Sequence, residues 1–167
     1  PTYLTSLGNS LHYSEIALAV IQLSGAVGAL FAGTISDRLG RNRTLFIVSV
    51  VTPLLTLLFL RLEGFWIFPV LIPLGFFLFA PISVMLAVVQ DLDTDKKAFV
   101  NSIYMTLNFF TSVMVYPLAG ALADRIGFLP TFRAIAYLGF GAALMVLLTR
   151  RRLRVITRKP EHEPFHR

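Results

Sequence analysis

The stretch GTISDRLGRNR, residues 33–43, places four charged residues in the middle of a long apolar region. The residues on its two sides are uncharged over Ile16–Ser36 and over Thr44–Leu60. As helices, these segments of 21 and 17 residues would be about 31 and 25 Å long, close to the thickness of the hydrocarbon core of a bilayer. We therefore predict a tight connection between two membrane-spanning helices.

The composition also indicates a membrane protein. Hydrophobic residues make up 56% of the 167 residues and charged residues only 14%, and the mean hydropathy is +0.73. Helices that are apolar on every side do not suit a soluble domain, which needs a polar face toward water. We predict an all-α membrane protein with five transmembrane helices. Their expected bounds are residues 14–36, 44–61, 65–90, 97–123 and 131–149, followed by a basic tail at 150–167.

The distribution of lysine and arginine predicts the orientation of the chain. Five spans separate six flanking segments on alternating sides, and one set of flanks carries twelve of the 15 basic residues. Because basic flanks remain in the cytoplasm, we expect residues 33–43, the connection at 91–97 and the C-terminus on the cytoplasmic face of the inner cell membrane. The net charge of +6 is then a signal of topology, and we expect no nucleic-acid partner.

The pattern of the charged stretch occurs twice. The spacing Gly-x-x-x-Asp-Arg-x-Gly of residues 33–40 recurs 87 residues later, in a copy made of Gly120, Asp124, Arg125 and Gly127. Three predicted spans separate the two copies, so we expect them on opposite sides of the membrane, as in an inverted repeat of three helices. The second copy lacks the arginines that end the first, which agrees with an extracellular position.

The first copy resembles the signature motif of the major facilitator superfamily of secondary transporters. Its matching residues are Gly33, Asp37, Arg38, Gly40, Arg41 and Arg43. The resemblance implies that the five spans correspond to the eighth to twelfth helices of a twelve-helix fold, and that the N-terminal half of the same protein lies upstream of Pro1. Residues 4–8 and the Ala-Gly-Ala-Leu-Ala-Asp ending of the second copy are similar to drug-efflux members, among them the fosmidomycin-resistance type.

The same resemblance implies that the charged stretch is a gate, which holds the two halves of the carrier in the outward-open state. We expect Gly33 to permit a close approach between helices, since it has no side chain. Asp37 is expected to contact the positively polarised N-terminus of a neighbouring helix. The three arginines would pair with acidic groups or with helix C-termini. The alternative is a simple polar turn in which Gly40 is a helix C-cap.

The sequence contains few candidates for substrate contacts. No charged residue and no histidine lies in the middle of a predicted span, although such a residue would be the first functional candidate in a membrane. A titrating group for proton coupling is therefore expected in the N-terminal half. The polar and aromatic candidates for a cavity are Gln22, Phe76, Phe77, Tyr104 and Asn108. The alternatives are hydrogen bonding between helices for the polar residues and lipid-facing packing for the phenylalanines.

These features favour a transporter over an enzyme or a metal protein. The three histidines are dispersed, and the acidic run Asp91–Asp95 lacks the glycine and glutamate of a calcium loop. We therefore expect no metal and no cofactor, and interpret the acidic run as a solvated loop. We predict a secondary transporter that works by alternating access and exports a drug-like or amphiphilic small molecule, with protons as the coupling ion and lipids around it. The alternatives are a symporter for metabolite uptake and a non-transporting receptor or assembly subunit.

Overall fold

A computed structural model describes residues 2–92, 94 and 96–156, with side chains as far as residue 148. The described residues form six α-helices and no strand. The helices are α1 (Thr2–Ser6), α2 (Leu11–Leu39), α3 (Arg41–Phe59), α4 (Ile67–Gln90), α5 (Lys97–Ile126) and α6 (Phe128–Ile156). A short 3-10 turn at Gly64–Trp66 precedes α4. The helices α2 to α6 include five candidate membrane spans, which confirms the predicted all-α membrane fold.

The long helices extend beyond the uncharged segments from which they were predicted. The Asp-Arg pair of the first copy lies inside α2, and that of the second copy lies inside α5. A helix does not end where its side chains become polar, because each backbone carbonyl still finds an N–H four residues further on. Likewise α6 continues into the basic segment as far as Ile156. The rest of the predicted tail, residues 157–167, lies outside the described residues.

Helices α2 and α4 pack backbone to backbone. Gly28 of α2 lies against the backbone of Phe76, and Gly75 of α4 lies against the carbonyl of Ile21. A Cβ atom added at either glycine would lie under 3.0 Å from those backbone atoms. Small residues allow this approach, and in a membrane the resulting van der Waals contact is a main source of attraction between helices. The two helices therefore form the tightest unit around which the rest is arranged.

Two apolar clusters lie at opposite ends of the bundle. The first involves α1, the beginnings of α2, α4 and α6, and the end of α3. Its buried members are Tyr3, Leu4, Ala17, Ile67, Leu71 and Leu74. The second joins the later parts of α2 and α4 to the beginning of α3, and its buried members are Ala32, Val48, Ala80 and Val84. The turns at Gly40 and Gly127 therefore lie at different ends, which we call the Gly40 end and the Gly127 end.

Helix α5 is much more exposed than the other long helices. Among the described residues, Ala123 is its one buried member along 30 residues. The side-chain oxygen of Asn101, near the beginning of α5, is shielded from solvent but has no hydrogen-bond partner in the described part of the chain. The rest of the helix presents large apolar side chains such as Phe109 and Phe110. An exposed apolar surface of this length is suited to contact with lipid or with more protein.

Candidate functional site

The turn between α2 and α3 consists of a single residue, Gly40. Its φ of 89° lies in a region that side chains disfavour and glycine adopts readily. The Gly40 N–H donates to the Ser36 carbonyl at 2.9 Å, and the Thr44 hydroxyl donates to the Gly40 carbonyl at 3.2 Å. Most of the predicted connection is thus helical, and the reversal of the chain is confined to one glycine.

The guanidinium of Arg41, the first residue of α3, connects three helix ends. It pairs with Asp37 of α2 at 2.5 Å, and its Nε donates to Asp91, which follows α4, at 2.9 Å. A third nitrogen, Nη1, donates to the Ser36 hydroxyl at 2.5 Å and to the Gly33 carbonyl at 3.2 Å. We call this set of five residues the Arg41 clasp. It fastens the end of α4 to the turn between α2 and α3.

The ion pairs of the Arg41 clasp are partly exposed to solvent, and such pairs are weak enough to open. The Arg41 side chain is 22% exposed, whereas those of Asp37 and Asp91 are 58% and 59% exposed. Exposed ion pairs contribute only about 0–1 kcal/mol each, because water and salt screen them. The hydrogen bonds from Nη1 are better shielded, since Ser36 is fully buried. The guanidinium also lies near the negatively polarised ends of α2 and α4, where a cation is favourable.

Within the described chain, two residues of this stretch make contacts that differ from those expected from the sequence. No helix of the described chain lies close to Gly33, since a Cβ added there would meet nothing within 4 Å. The close approach occurs instead at Gly25 and Gly28, nearer the middle of α2, where added Cβ atoms would collide with α4. Gly33 contributes its carbonyl to the Arg41 clasp. Asp37 pairs with Arg41 rather than with the N-terminus of another helix among the described residues.

Within the described chain, one of the three arginine side chains of the stretch forms ion pairs, and this is Arg41. Arg38 and Arg43 are exposed, and no ion pair or hydrogen bond joins the side chain of either one to another described residue. Asp37 lies on the last turn of α2 and Arg41 is the first residue of α3, so the reversal of the chain at Gly40 brings these two side chains together. The predicted role of the arginines is therefore carried by Arg41 in the part of the chain that is described.

Asp91 belongs to the Arg41 clasp, although its sequence context predicts a solvated loop. It caps the end of α4 and lies 50 positions from its partner Arg41. The available signal was an acidic residue directly after a span, on the side where residues 33–43 were expected. The other acidic members of that run, Asp93 and Asp95, lie outside the described residues.

The second copy of the pattern has nearly the same backbone but forms no ion pair with the residues that the structure describes. Gly127 also has a φ of 89°, and its N–H donates to the Ala123 carbonyl at 2.9 Å. The Thr131 hydroxyl donates to the Gly127 carbonyl at 2.8 Å, as Thr44 does at the first turn. Phe128 stands where the first copy has Arg41, and it packs against the apolar cluster. Asp124 is exposed.

The remaining residues of this copy and the cavity candidates are dispersed. A Cβ added at Gly120 would have no described atom within 4 Å, and Arg125 is exposed. Gln22 on α2 and Asn108 on α5 are also exposed, while Tyr104 is half-buried. No contact joins these three in the described part of the chain.

The two phenylalanine candidates contact each other and pack inside the bundle. Phe76 and Phe77 lie edge to face, with ring centroids 5.5 Å apart. Phe77 also packs against the cluster at the Gly40 end, and the backbone of Phe76 lies against Gly28. Both residues therefore have a structural role in addition to any contact with a substrate.

The fold and the signature turn agree with what family comparison finds. The chain matches the Major Facilitator Superfamily over residues 1–166. The chain belongs to this superfamily. No curated protein and no solved structure matches it. Members of the superfamily are transporters rather than enzymes, so this major facilitator chain is a multi-pass membrane transport protein.

Proposed function

We propose that the chain is the C-terminal half of a secondary transporter that works by alternating access and exports a small amphiphilic compound in exchange for protons. The observation that carries this proposal is the Arg41 clasp. It joins the ends of three membrane helices through one half-buried guanidinium and two exposed carboxylates. Contacts of this kind are strong enough to favour one conformation and weak enough to be exchanged during a transport cycle.

The basic flanks indicate on which side of the membrane the Arg41 clasp lies. If residues 33–43 and the C-terminus are cytoplasmic, the clasp holds the cytoplasmic ends of α2, α3 and α4 together. That arrangement closes the cytoplasmic side and corresponds to the outward-open state. Opening of the Arg41–Asp91 pair would free the end of α4 and expose the site toward the cytoplasm.

The two matched turns support an inverted repeat. Their backbones are alike, and they lie at opposite ends of the bundle, as an inverted repeat of three helices requires. The exposed surface of α5 supports the presence of further helices of the same carrier, because it is long and apolar. We place the N-terminal half of the transporter against this surface and against the exposed face of α2 that carries Gln22.

The substrate cavity is proposed between these surfaces. Gln22, Tyr104 and Asn108 lie on α2 and α5 and retain exposure in the described chain, which leaves their polar groups available to a bound compound. The five spans hold no mid-span acid or base. Proton coupling would therefore use a titrating group on the N-terminal half, and an amphiphilic substrate is favoured because the candidates are polar but uncharged.

The experiment uses the full-length protein in vesicles with an acidic interior. Ethidium and fosmidomycin are added outside as probes, and the interior pH is followed. Export by antiport predicts that a probe releases protons from the vesicles. The Arg41→Gln variant should release them more slowly, while Arg43→Gln, which changes an exposed arginine outside the clasp, should behave as the wild type.

The alternatives predict different signals in the same vesicles. A symporter for metabolite uptake would carry protons inward with its substrate, so a metabolite added outside would acidify the interior further. A receptor or assembly subunit would move no protons with any compound. Folded protein that responds to neither probe would contradict the proposed export function.

A further inference from the structure

Helix α4 contains a break in its backbone hydrogen bonding at Pro81. Proline has no N–H, so Pro81 leaves the carbonyl of Phe77, four residues earlier, without its helical donor. In the hydrocarbon region no water is present to replace that donor, and an unpaired carbonyl is costly there. The break lies close to the middle of the span, where α4 would otherwise be free to bend.

A side chain of the neighbouring helix supplies the missing donor. The Thr52 hydroxyl of α3 donates to the Phe77 carbonyl at 3.3 Å. Thr56, one turn further along α3, uses its hydroxyl within its own helix, as it donates to the Thr52 carbonyl at 2.9 Å. The two threonines are chemically identical and adjacent on α3, but only Thr52 bonds to the interrupted part of α4.

The parts of α4 on the two sides of the break are held differently. The part before Phe77 is fixed by the backbone contacts of Gly75 with α2. The part after Pro81 packs through Val84 in the second apolar cluster, and its other contacts are polar, namely the Ser83 hydroxyl on the carbonyl of Ala29 and the pair of Asp91 with Arg41. Polar contacts can be exchanged more easily than a packed backbone can be separated.

Free space lies directly beside the break. A cavity of about 230 Å³ is bounded by α3, α4 and α6. Its walls include Thr52, Pro53, Phe77, Pro81 and Gly139. Dense packing would oppose a change in the bend of α4, since protein interiors deform little when filled. The cavity removes that obstacle at the level of Pro81.

We propose that Thr52 is the positioning residue of a hinge in α4. Its hydroxyl holds the bend at Phe77 and Pro81, and its release lets residues 82–90 swing about that point when the Arg41 clasp opens. The hinge links the clasp at the Gly40 end to the middle of the membrane. Its role in transport rests on the proposed function, whereas the hinge itself is a property of α3 and α4.

The test measures the position of the end of α4 without a substrate. The 167 residues contain no cysteine. After replacement of any cysteine elsewhere in the full-length protein, spin labels are placed at Ile47→Cys on α3 and Gln90→Cys on α4 in lipid nanodiscs. Distances between the labels report two populations, with α4 held or released. Loss of the Thr52 hydroxyl in Thr52→Val should change their ratio about five- to thirtyfold, the factor that corresponds to about 1–2 kcal/mol.

Three variants separate the hinge from a general loss of packing. Thr52→Ser keeps the hydroxyl and should retain the wild-type distances. Thr56→Val, the matched control, should do the same, because its hydroxyl does not reach α4. In a Pro81→Ala background, Thr52→Val should have no effect, since alanine at position 81 restores the N–H for the Phe77 carbonyl.

Each outcome decides for or against the hinge. Unchanged distances in Thr52→Val, or an equal change with and without Pro81→Ala, would overturn the proposal. If Thr52→Val does not fold, recovery of folding in the double variant supports the hinge, and failure to recover overturns it. The label distances do not depend on transport, so a failure of the export proposal in vesicles is distinguishable from a failure of the hinge.

Discussion

The turns at Gly40 and Gly127 have nearly the same backbone and opposite chemistry. In each, one glycine with a φ of 89° reverses the chain, its N–H caps the preceding helix, and a threonine hydroxyl of the next helix donates to its carbonyl. The difference is the next residue, which is Arg41 in one turn and Phe128 in the other. The backbone of a turn can therefore be repeated while its contacts are changed from ionic to apolar.

That difference bears on which end of the bundle exchanges its contacts in the proposed transport cycle. Phe128 joins a cluster that includes the buried Tyr3 and Leu4. Separating these residues would expose their apolar surface again, which is unfavourable in proportion to its area. Arg41 instead meets two exposed carboxylates, whose interaction is small and sensitive to salt. We infer that the Gly40 end exchanges contacts during transport while the Gly127 end stays packed.

The largest effect on the rate of transport is expected when Arg41 of the first turn is replaced by phenylalanine, the residue at the matching position of the second turn. Arg41→Phe removes every polar contact of the guanidinium, and hydrogen bonds to charged groups are worth about 1.5–3 kcal/mol. Proton release by a transported probe should therefore fall about tenfold or more. Arg43→Phe is the matched control, since Arg43 is exposed. Equal rates in the two variants would show that the Arg41 clasp does not set the transport rate.

A slightly smaller effect, on the free energy of unfolding, is expected when the glycine of either turn is replaced. Alanine is strained at the positive φ of Gly40 and of Gly127, so Gly40→Ala and Gly127→Ala should each lower the free energy of unfolding by about 1–3 kcal/mol. Thermal unfolding in detergent measures both. A loss at only one of the two positions would contradict the claim that the turns share a backbone.

A third comparison removes one carboxylate at each end of the bundle, that of Asp91 in the Arg41 clasp or that of Asp124 in the second copy. Asp91→Asn weakens the pair with Arg41, and exposed pairs contribute about 0.2–1 kcal/mol. Probe-driven proton release should therefore slow by roughly two- to fivefold at low salt, and the difference should shrink in concentrated salt as the charges are screened. Asp124→Asn, which breaks no described ion pair, should leave the rate unchanged. Slower proton release in Asp124→Asn than in Asp91→Asn would exclude the assigned role of Asp91.

The smallest effect is expected at the glycines that begin the two copies. Gly33 and Gly120 have open space where a Cβ would be placed, and alanine is favoured over glycine in a helix by about 1 kcal/mol or less. Gly33→Ala and Gly120→Ala should be neutral or slightly stabilising in thermal unfolding. Gly28→Ala, which would place a Cβ against α4, should be clearly destabilising. A strong loss at Gly33 would restore the close approach expected from the sequence.

Local patterns explain how much of this fold was predictable. Uncharged segments of span length predict α2 to α6, because hydropathy is a property of consecutive residues. The spacing of the motif also predicts a glycine reversal after Asp37. The hydropathy pattern does not predict that α2 and α5 continue through their Asp-Arg pairs, because it changes where the charged residues begin. Charge marks the membrane boundary and does not by itself end a helix.

The site was less predictable than the fold because its partners are distant in sequence. Arg41 and Asp91 are 50 positions apart, and they meet only because α2 and α4 pack closely at Gly28 and Gly75. No local pattern distinguishes Arg41 from the neighbouring Arg38 and Arg43 as the one that reaches Asp91. The Thr52 contact with Phe77 is of the same kind, since it depends on which face of α3 lies toward α4.

The most direct test of the Arg41 clasp is a double-variant cycle on the position of α4. The label pair Ile47→Cys and Gln90→Cys is measured in the wild type, in Arg41→Gln, in Asp91→Asn and in the combination of both. Because the two residues act through one contact, each single variant should shift the population toward the longer distance, and the combination should add nothing to the larger single shift. No shift in either single variant, or shifts that add in the double variant, would contradict the claim that this contact holds α4.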